Sequence, residues 1–460
     1  MTKSNTNKLA SWPIPKLLLS MGVPAFFSMF IQSMYNVVDT IYISNYSKDA
    51  MYAIGLVTPL FMIGLSIALG GATGIGTLVS RRLGEGKKEE AVNVASNGFT
   101  LALIHGFIVM CVGFLFSRPF LSLFTERMDI INLGSRYLYI VLGLSFFQQI
   151  GIYLERVMQN QGQVMVPMVS MLCGTITNIV LDPILIFGYF GLPSMGIAGA
   201  AIATVTSQFV TFLICLIFIL KSKTIEVKPD FKRLKPTVQR IKDIYQVGIP
   251  TAIINMLGSV TTTCMNSILV KFSEDAVTAL SLYFKLESFV FMPVFGFNQG
   301  ALPIMSYNYG AQNRKRYMQC YKLYLFIAEC ILICGTLLFK FAPDLPLSLF
   351  ETDASLLQTA EMVLRTISTG FIFAGFNIVL TTSFQSFGLG PLSMLQSMSR
   401  QLFILIPLAF ILSSVSLNAV FYAYPVAEFA VTLIFAPVLI KQINKHLPKK
   451  CLICLVKIII

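Results

Sequence analysis

Charge is scarce in this chain. Asp, Glu, Lys and Arg make up 12% of its 460 residues, about half of the ~25% usual in soluble domains. A surface so thin in charge cannot face water on all sides, which excludes a string of soluble domains. Histidine is scarcer still: His105 and His446 are the only two, and neither has a neighbour at metal-ligand spacing. A membrane-embedded enzyme would need a catalytic constellation, and none is present. The nine cysteines are scattered, with Cys111, Cys173, Cys215 and Cys334 inside apolar runs, and they form no disulfide framework or ligand set. Cys451 and Cys454 make a CxxC in a basic, apolar tail, read as an interfacial anchor rather than a metal or redox site. Nucleotide chemistry is missing too. Gly70–Gly76 falls mid-helix behind no strand, and Gly84-Glu85-Gly86-Lys87 lacks the spacing and the Ser/Thr of a phosphate loop. Any transport would therefore draw on an ion gradient.

Apolar residues are what the chain has in quantity. They make up 55% of it, the mean hydropathy is +0.75, and runs of about 20 residues recur, each long enough to cross a bilayer. In lipid the backbone must satisfy itself, so repeated long spans mean a helix bundle. The pattern predicts twelve helices near 16–44, 51–79, 91–116, 130–158, 164–188, 196–220, 241–270, 276–305, 317–340, 358–386, 391–412 and 417–440. The first run is too long for a signal-peptide core and should be retained. The net charge of +13 is not a nucleic-acid signal, because the bases gather on one side. Lys3, Lys8, Arg81, Arg82, Lys87, Lys88, Arg156, Arg314, Lys315, Arg316, Lys441, Lys445, Lys449 and Lys450 fall there, with eight more bases in 221–242. Few bases fall on the other side, which carries acids such as Asp344, Glu351 and Asp353. That asymmetry places both termini in the cytoplasm of a multi-pass plasma (inner) membrane protein.

The sequence also repeats itself. Gly22 and Pro24 recur as Gly248 and Pro250, and Tyr46-Ser47-Lys48-Asp49-Ala50 as Phe272-Ser273-Glu274-Asp275-Ala276. Leu121-Ser122-Leu123-Phe124 recurs as Leu347-Ser348-Leu349-Phe350, and Gln159 and Gly162 as Gln385 and Gly388. The shift is constant, and an offset of six helices keeps both copies in the same orientation. The expected fold is an all-α membrane protein: twelve transmembrane helices in two six-helix lobes, related by a pseudo-twofold axis along the membrane normal. Residues 1–220 form the N-lobe, 221–242 a cytoplasmic basic linker, 243–440 the C-lobe and 441–460 a cytoplasmic basic tail. GxxxG patterns at Gly70/Gly74 and Gly296/Gly300 would let another helix approach closely. Pro24, Pro250, Pro59, Pro293, Pro183 and Pro407 each remove a helical hydrogen bond and mark places where a helix can kink.

Acids inside apolar spans cost about 2.5–3.5 kcal/mol at mid-membrane, so each needs a reason. Asp39 lies toward the outer end of the first helix; Asp182 lies in the fifth, with Asn178 one turn earlier on the same face. Counting depth along neighbouring helices brings Tyr137 and Thr204 to the same level. Asp39, Tyr137, Asn178, Asp182 and Thr204 would then form an oxygen-lined pocket. It suits a hard cation such as Na⁺, with Asp39, Asn178 and Asp182 as its ligands, or a proton shared between two acids. The sequence leaves that choice open, and the plainer alternative is a set of helix ends solvated by outer water. Met265 replaces Asp39 in the second copy. There the buried charges are Lys285, Glu287, Glu329, Arg400 and Glu428. Glu287 is expected to face a central substrate cavity with Met292, Gln299 and Arg400, with internal neutralisation by Arg400 or Lys285 as the alternative. Glu329 and Glu428 are read as structural or interfacial. Abundant Phe, Met and Tyr would suit aromatic cations.

Two six-helix lobes, Asn36-Val-Val-Asp39-Thr-Ile-Tyr-Ile, Asn178-Ile-Val-Leu-Asp182-Pro-Ile-Leu-Ile-Phe-Gly and Gly199-Ala-Ala-Ile-Ala-Thr204 together resemble the multidrug and toxic compound extrusion (MATE) family, over about residues 15–441. The resemblance implies a V of two lobes, rocker-type alternating access, and Na⁺- or H⁺-driven export of amphiphilic, mostly cationic compounds. It implies no cofactor beyond that ion. It carries the prokaryotic branch's cation site onto Asp39, Tyr137, Asn178, Asp182 and Thr204. Another branch uses acids of helices 7 and 10. Here those helices hold only Asp243 at the entrance of one and Glu361 near the outer end of the other, which argues against a C-lobe cation site. The expected partners are small amphiphiles and the bilayer, with no nucleic acid and a monomeric state. The runner-up function is a flippase for lipid-linked or polyprenyl substrates, which would need a cationic cavity.

Overall fold

The computed structural model describes residues 8–348 and 354–448. Lys3, Leu349, Phe350, Glu351, Asp353, Lys449, Lys450, Cys451 and Cys454 lie outside the described residues, as do the expectations placed on them. Twelve spans follow one another: α1 Ile14–Tyr46, α2 Lys48–Gly84, α3 Lys88–Ser122 and α4 Met128–Gly143 with Phe146–Gln159. Next come α5 Met165–Phe187, α6 Ile197–Lys221, α7 Val238–Leu269, α8 Glu274–Gly310 and α9 Arg314–Phe341. The last three are α10 Ser355–Ser386, α11 Gly390–Leu412 and α12 Leu417–His446. The periodicity located every span, and the helices run a few residues longer than their apolar cores. α7 already begins at Val238, so the last five residues assigned to the linker are its first turn, and α12 continues into the assigned tail as far as His446.

The two copies fold alike down to their caps. Ser47 Oγ accepts from the Ala50 amide at 3.4 Å and Ser273 Oγ from the Ala276 amide at 3.1 Å, each opening the second helix of its lobe. The turn after the fourth helix is also shared: Gly162 and Gly388 both adopt left-handed φ, +84° and +76°, a conformation that disfavours any Cβ. The broken span is not broken at a proline. α4 bends by 46° between Gly143 and Phe146, where Ser145 turns its hydroxyl to the Gly106 carbonyl at 3.1 Å. α11 contains a π-helical stretch, Ser399–Leu405, just ahead of Pro407.

The GxxxG residues work between lobes rather than within one. A Cβ on Gly70 would sit 2.5 Å from the Gly248 carbonyl oxygen on α7, and one on Gly300 would sit 2.9 Å from the Gly22 amide on α1. At the basic end Gly84 abuts the Tyr307 carbonyl and Gly310 abuts the Arg81 carbonyl. Gly84 and Gly310 are equivalent residues of the repeat, so this double contact lies on the pseudo-twofold axis. Ion pairs reinforce the same end: Arg82 Nη2 to Asp243 at 3.5 Å and Arg240 Nη2 to Glu90 at 3.3 Å. Arg316 donates to the carbonyls of Leu9 and Trp12 at 3.0 and 2.8 Å, clamping the short helix Lys8–Ser11 across the junction. A cavity of about 310 Å³, lined in part by Arg81, Arg82, Asp243, Tyr309 and His446, remains between the lobes here.

The connection before α7 is strapped down. Gln161 exchanges two hydrogen bonds with the backbone of Val227, at 2.9 and 2.7 Å, and Val227 is fully buried. Asn97 and Thr100 of α3 hold the carbonyls of Arg233, Leu234 and Lys235. Its basic residues are thereby laid along the N-lobe's end. Arg233 reaches Glu89 at 2.5 Å.

Candidate cation-binding site

The half of the N-lobe away from the basic end brings together the five residues singled out from depth. α1 supplies Asp39, α4 Tyr137, α5 Asn178 and Asp182, and α6 Thr204. Asn178 and Asp182 are fully buried, Thr204 is 4% exposed and Tyr137 9%, so none of these four is a helix end rinsed by water. The α5 pair is one helical turn apart, and Asn178 Nδ2 donates to Asp182 Oδ1 at 3.3 Å. With the amide turned over, the donation reaches Oδ2 at 2.9 Å and the amide oxygen comes 3.3 Å from the Thr204 amide. Asp39 and Asp182 are within hydrogen-bonding range of each other, which two carboxyl groups can satisfy only by sharing a proton or a cation. Tyr137 is in hydrogen-bonding range of the Thr204 hydroxyl.

Tyr35 completes the group. Its hydroxyl lies 3.4 Å from Thr204 Oγ1, and both carboxyls act on it electrostatically. Sequence reasoning missed it, although it stands four residues before Asp39, the same spacing that made Asn178 legible. One oxygen is left over: Asp39 Oδ1 is buried and has no hydrogen-bond partner. An orphaned buried carboxylate oxygen is costly unless something binds it. The donor set is all oxygen: two carboxylates, an amide and three hydroxyls. That composition fits a hard monovalent cation, and a proton equally well. No histidine or cysteine takes part. Among the described residues no three His, Cys, Asp or Glu side chains gather as a transition-metal site would require.

The substrate-cavity set Glu287, Met292, Gln299 and Arg400 does not form one wall. Met292 lies on the Gly296/Gly300 side of α8, which meets the N-lobe. Gln299 accepts from Arg156 Nη1 of α4 at 3.1 Å, a hydrogen bond between lobes. Arg156, expected in a cytoplasmic segment, is thus inside the bundle. Glu287 lies on the opposite stripe of α8, with buried Tyr283, Phe291 and Val294, because nine helical residues from Gly296 amount to two and a half turns. It faces the C-lobe interior, where Arg400 Nη1 pairs with Glu428 Oε1 at 2.7 Å. Lys285 is on the exposed side. Glu329 buries both carboxyl oxygens without a hydrogen-bond partner, against Gly375 of α10.

The multidrug export protein MepA of Staphylococcus aureus is 26% identical over 420 residues, covering 90% of this chain and 91% of MepA. MepA of Staphylococcus haemolyticus is 26% identical over 417 residues, covering 90% of each chain. Among solved structures, a MATE protein in complex with MaL6 superposes with TM-score 0.90 at 22% identity, over 97% of this chain and 99% of its own. A MOP-superfamily transporter from Pyrococcus furiosus, described as having a binding pocket of reversed polarity, gives 0.89 at 22% identity, over 97% and 99%. The MatE family model matches residues 24–184 and 250–411. Those two stretches are the two copies of the repeat, and together they span well over half of the sequence. The chain therefore belongs to the MatE family.

Proposed function

We propose that this chain is a cation-coupled multidrug antiporter, exporting amphiphilic, mostly cationic compounds in exchange for inward Na⁺ or H⁺. One observation carries the coupling: Asp39, Tyr137, Asn178, Asp182 and Thr204 from four helices surround a buried carboxylate oxygen that has no partner. Relatives described as multidrug export proteins support the export half of the reading. The gathered bases at one end support an inward orientation for that end and for both termini, by the positive-inside bias of membrane proteins. Closure at that end, through Gly84 and Gly310, then corresponds to a state open to the outside. Cation entry down 100 mV supplies about 2.3 kcal/mol per charge. The cation favours the lobe arrangement that binds substrate poorly, which links the two fluxes. Met292 and Gln299 lie along the junction where substrate would pass. No specific observation favours the flippase reading.

The test is ethidium efflux from vesicles under an imposed Na⁺ gradient and then an imposed pH gradient. Asp39→Asn and Asp182→Asn should each abolish efflux while the protein still inserts. Wild-type efflux by both variants would sink the proposal.

A further inference from the structure

The C-lobe lacks counterparts of Asp39 and Asp182, yet it buries a polar network of its own. Glu428 of α12 is fully engaged. Arg400 Nη1 donates to its Oε1 and Asn377 Nδ2 to its Oε2, both at 2.7 Å. Gln396 Nε2 donates to the Asn377 side-chain and main-chain oxygens, both at 3.2 Å, and Thr381 donates to Gln396 at 2.5 Å. Glu287 of α8 enters from the other side, in hydrogen-bonding range of Tyr283 and in the field of both Arg400 and Glu428. The surroundings are apolar and closed: Tyr283 and Phe371 are 2% exposed and Phe291 7%.

Counting charge isolates the anomaly. Glu287 and Glu428 bring two negative charges and Arg400 brings one positive, so one negative charge is uncompensated inside this network. Buried charge without a partner is strongly destabilising. Two polar atoms beside it are also unsatisfied: Tyr424 Oη and Arg400 Nε are buried with no hydrogen-bond partner. The Tyr424 ring lies 6.4 Å from that of Tyr283. Arg400 itself stands in the π-helical stretch of α11, a local departure from α geometry found often at functional sites.

We propose that Glu287 is a second ion site of this protein and that its ligand is a proton. A metal cation would have to sit beside the Arg400 guanidinium, whereas a proton on the carboxyl removes the excess charge and needs no further ligand. Binding converts the Glu287 carboxylate to the neutral acid and release restores it, with no other bond changed and with water as source and sink. Tyr283 is in hydrogen-bonding range of the carboxyl, and the unpartnered Tyr424 hydroxyl stands within its electrostatic reach. The charged groups acting on Glu287 are Arg400 and Glu428. Lys285 on its own helix is on the exposed side, Glu361 of α10 pairs with Arg365 at 3.7 Å, and Glu329 of α9 is turned to Gly375. No charged residue of α1, α2, α4 or α7 is among the groups acting on Glu287. This reading rests on the antiport function for its role in the cycle, but not for the existence of the site.

Two measurements separate those claims. The first is acid titration of purified full-length protein in detergent, with a pH indicator reporting proton uptake. Glu287→Gln should take up one proton fewer than wild type, while Glu287→Asp matches it. The second counts protons moved per ethidium in proteoliposomes. Glu287→Gln should lose one proton per cycle and flatten the pH profile of efflux, at wild-type melting temperature. Equal uptake and an equal profile in Glu287→Gln would overturn the proposal. Uptake one proton lower but with an unaltered transport count would keep the site and overturn its part in the cycle. If the antiport reading itself fails, Asp39→Asn and Asp182→Asn transport normally, and the titration result stands apart.

Discussion

Single side chains in the N-lobe pocket differ in what they can contribute. On the proposed reading, Asp39 and Asp182 supply the charge that would hold the cation. Tyr35, Tyr137 and Thr204 supply one hydroxyl each, worth about 1 kcal/mol per hydrogen bond. Tyr137→Phe and Tyr35→Phe should therefore weaken the cation dependence of efflux by about fivefold, not abolish it. Efflux measured against Na⁺ or H⁺ concentration reads this as a shifted midpoint at unchanged maximum. At the basic end Glu85 titrates outside the bundle. Burial pushes its carboxyl up, but hydrogen bonds and charges from Arg82 and Lys87 outweigh that and hold it below the usual glutamate range. A carboxyl depressed in the folded state contributes stability above its unfolded pKa, about 4.3, and loses it as pH falls through the lowered value. Wild-type melting temperature should thus fall in acid more steeply than that of Glu85→Gln. The N-lobe pocket was legible because acids in apolar runs stand out and helical spacing fixes their face. The direction of Glu287 was not, because the sequence does not say which side of α8 meets the other lobe; the Gly296/Gly300 pair would have settled it.

Helices were legible at a coarser level, and their faults less so. Long apolar runs gave every span, and the shared Ser47 and Ser273 caps show how far the repeat reaches. Removing either cap, Ser47→Ala or Ser273→Ala, should cost about 1 kcal/mol, read as a lower melting temperature in detergent. The prolines were the expected kinks, yet the 46° break in α4 lies between Gly143 and Phe146. Packing makes it: Ser145 reaches the Gly106 carbonyl, and Gly113 and Gly143 let the α3 and α4 side chains come close. The local signal in 143–146 is only the Gly143/Ser145 pair, which marks a place where a helix can kink without saying that it breaks. The basic segment before α7 is likewise bound by buried contacts to Gln161, Asn97 and Thr100, contacts that composition alone cannot supply.

At the level of the whole molecule, opening of the basic end requires the lobes to part along α1/α8 and α2/α7. The closed arrangement depends on backbone lying against backbone. Gly84→Leu or Gly310→Leu would force a side chain against the facing carbonyl of Tyr307 or Arg81, at about 1–3 kcal/mol for an overpacked site. The population should shift toward the open basic end by roughly 5–150-fold. Cysteine accessibility at introduced sites on the α2 and α8 ends would report it. Asp243→Ala, which breaks the pair with Arg82, should act in the same direction but more weakly, since the pair is partly exposed. The reciprocal contacts of Gly84 with Tyr307 and of Gly310 with Arg81 have an ancestral consequence as well. A pair of contacts in which each copy's glycine meets the other copy's equivalent carbonyl is the mark of a self-complementary homodimer. A six-helix forebear could have paired with a copy of itself through that same glycine, so fusion of the two genes would have inherited a working seam rather than invented one.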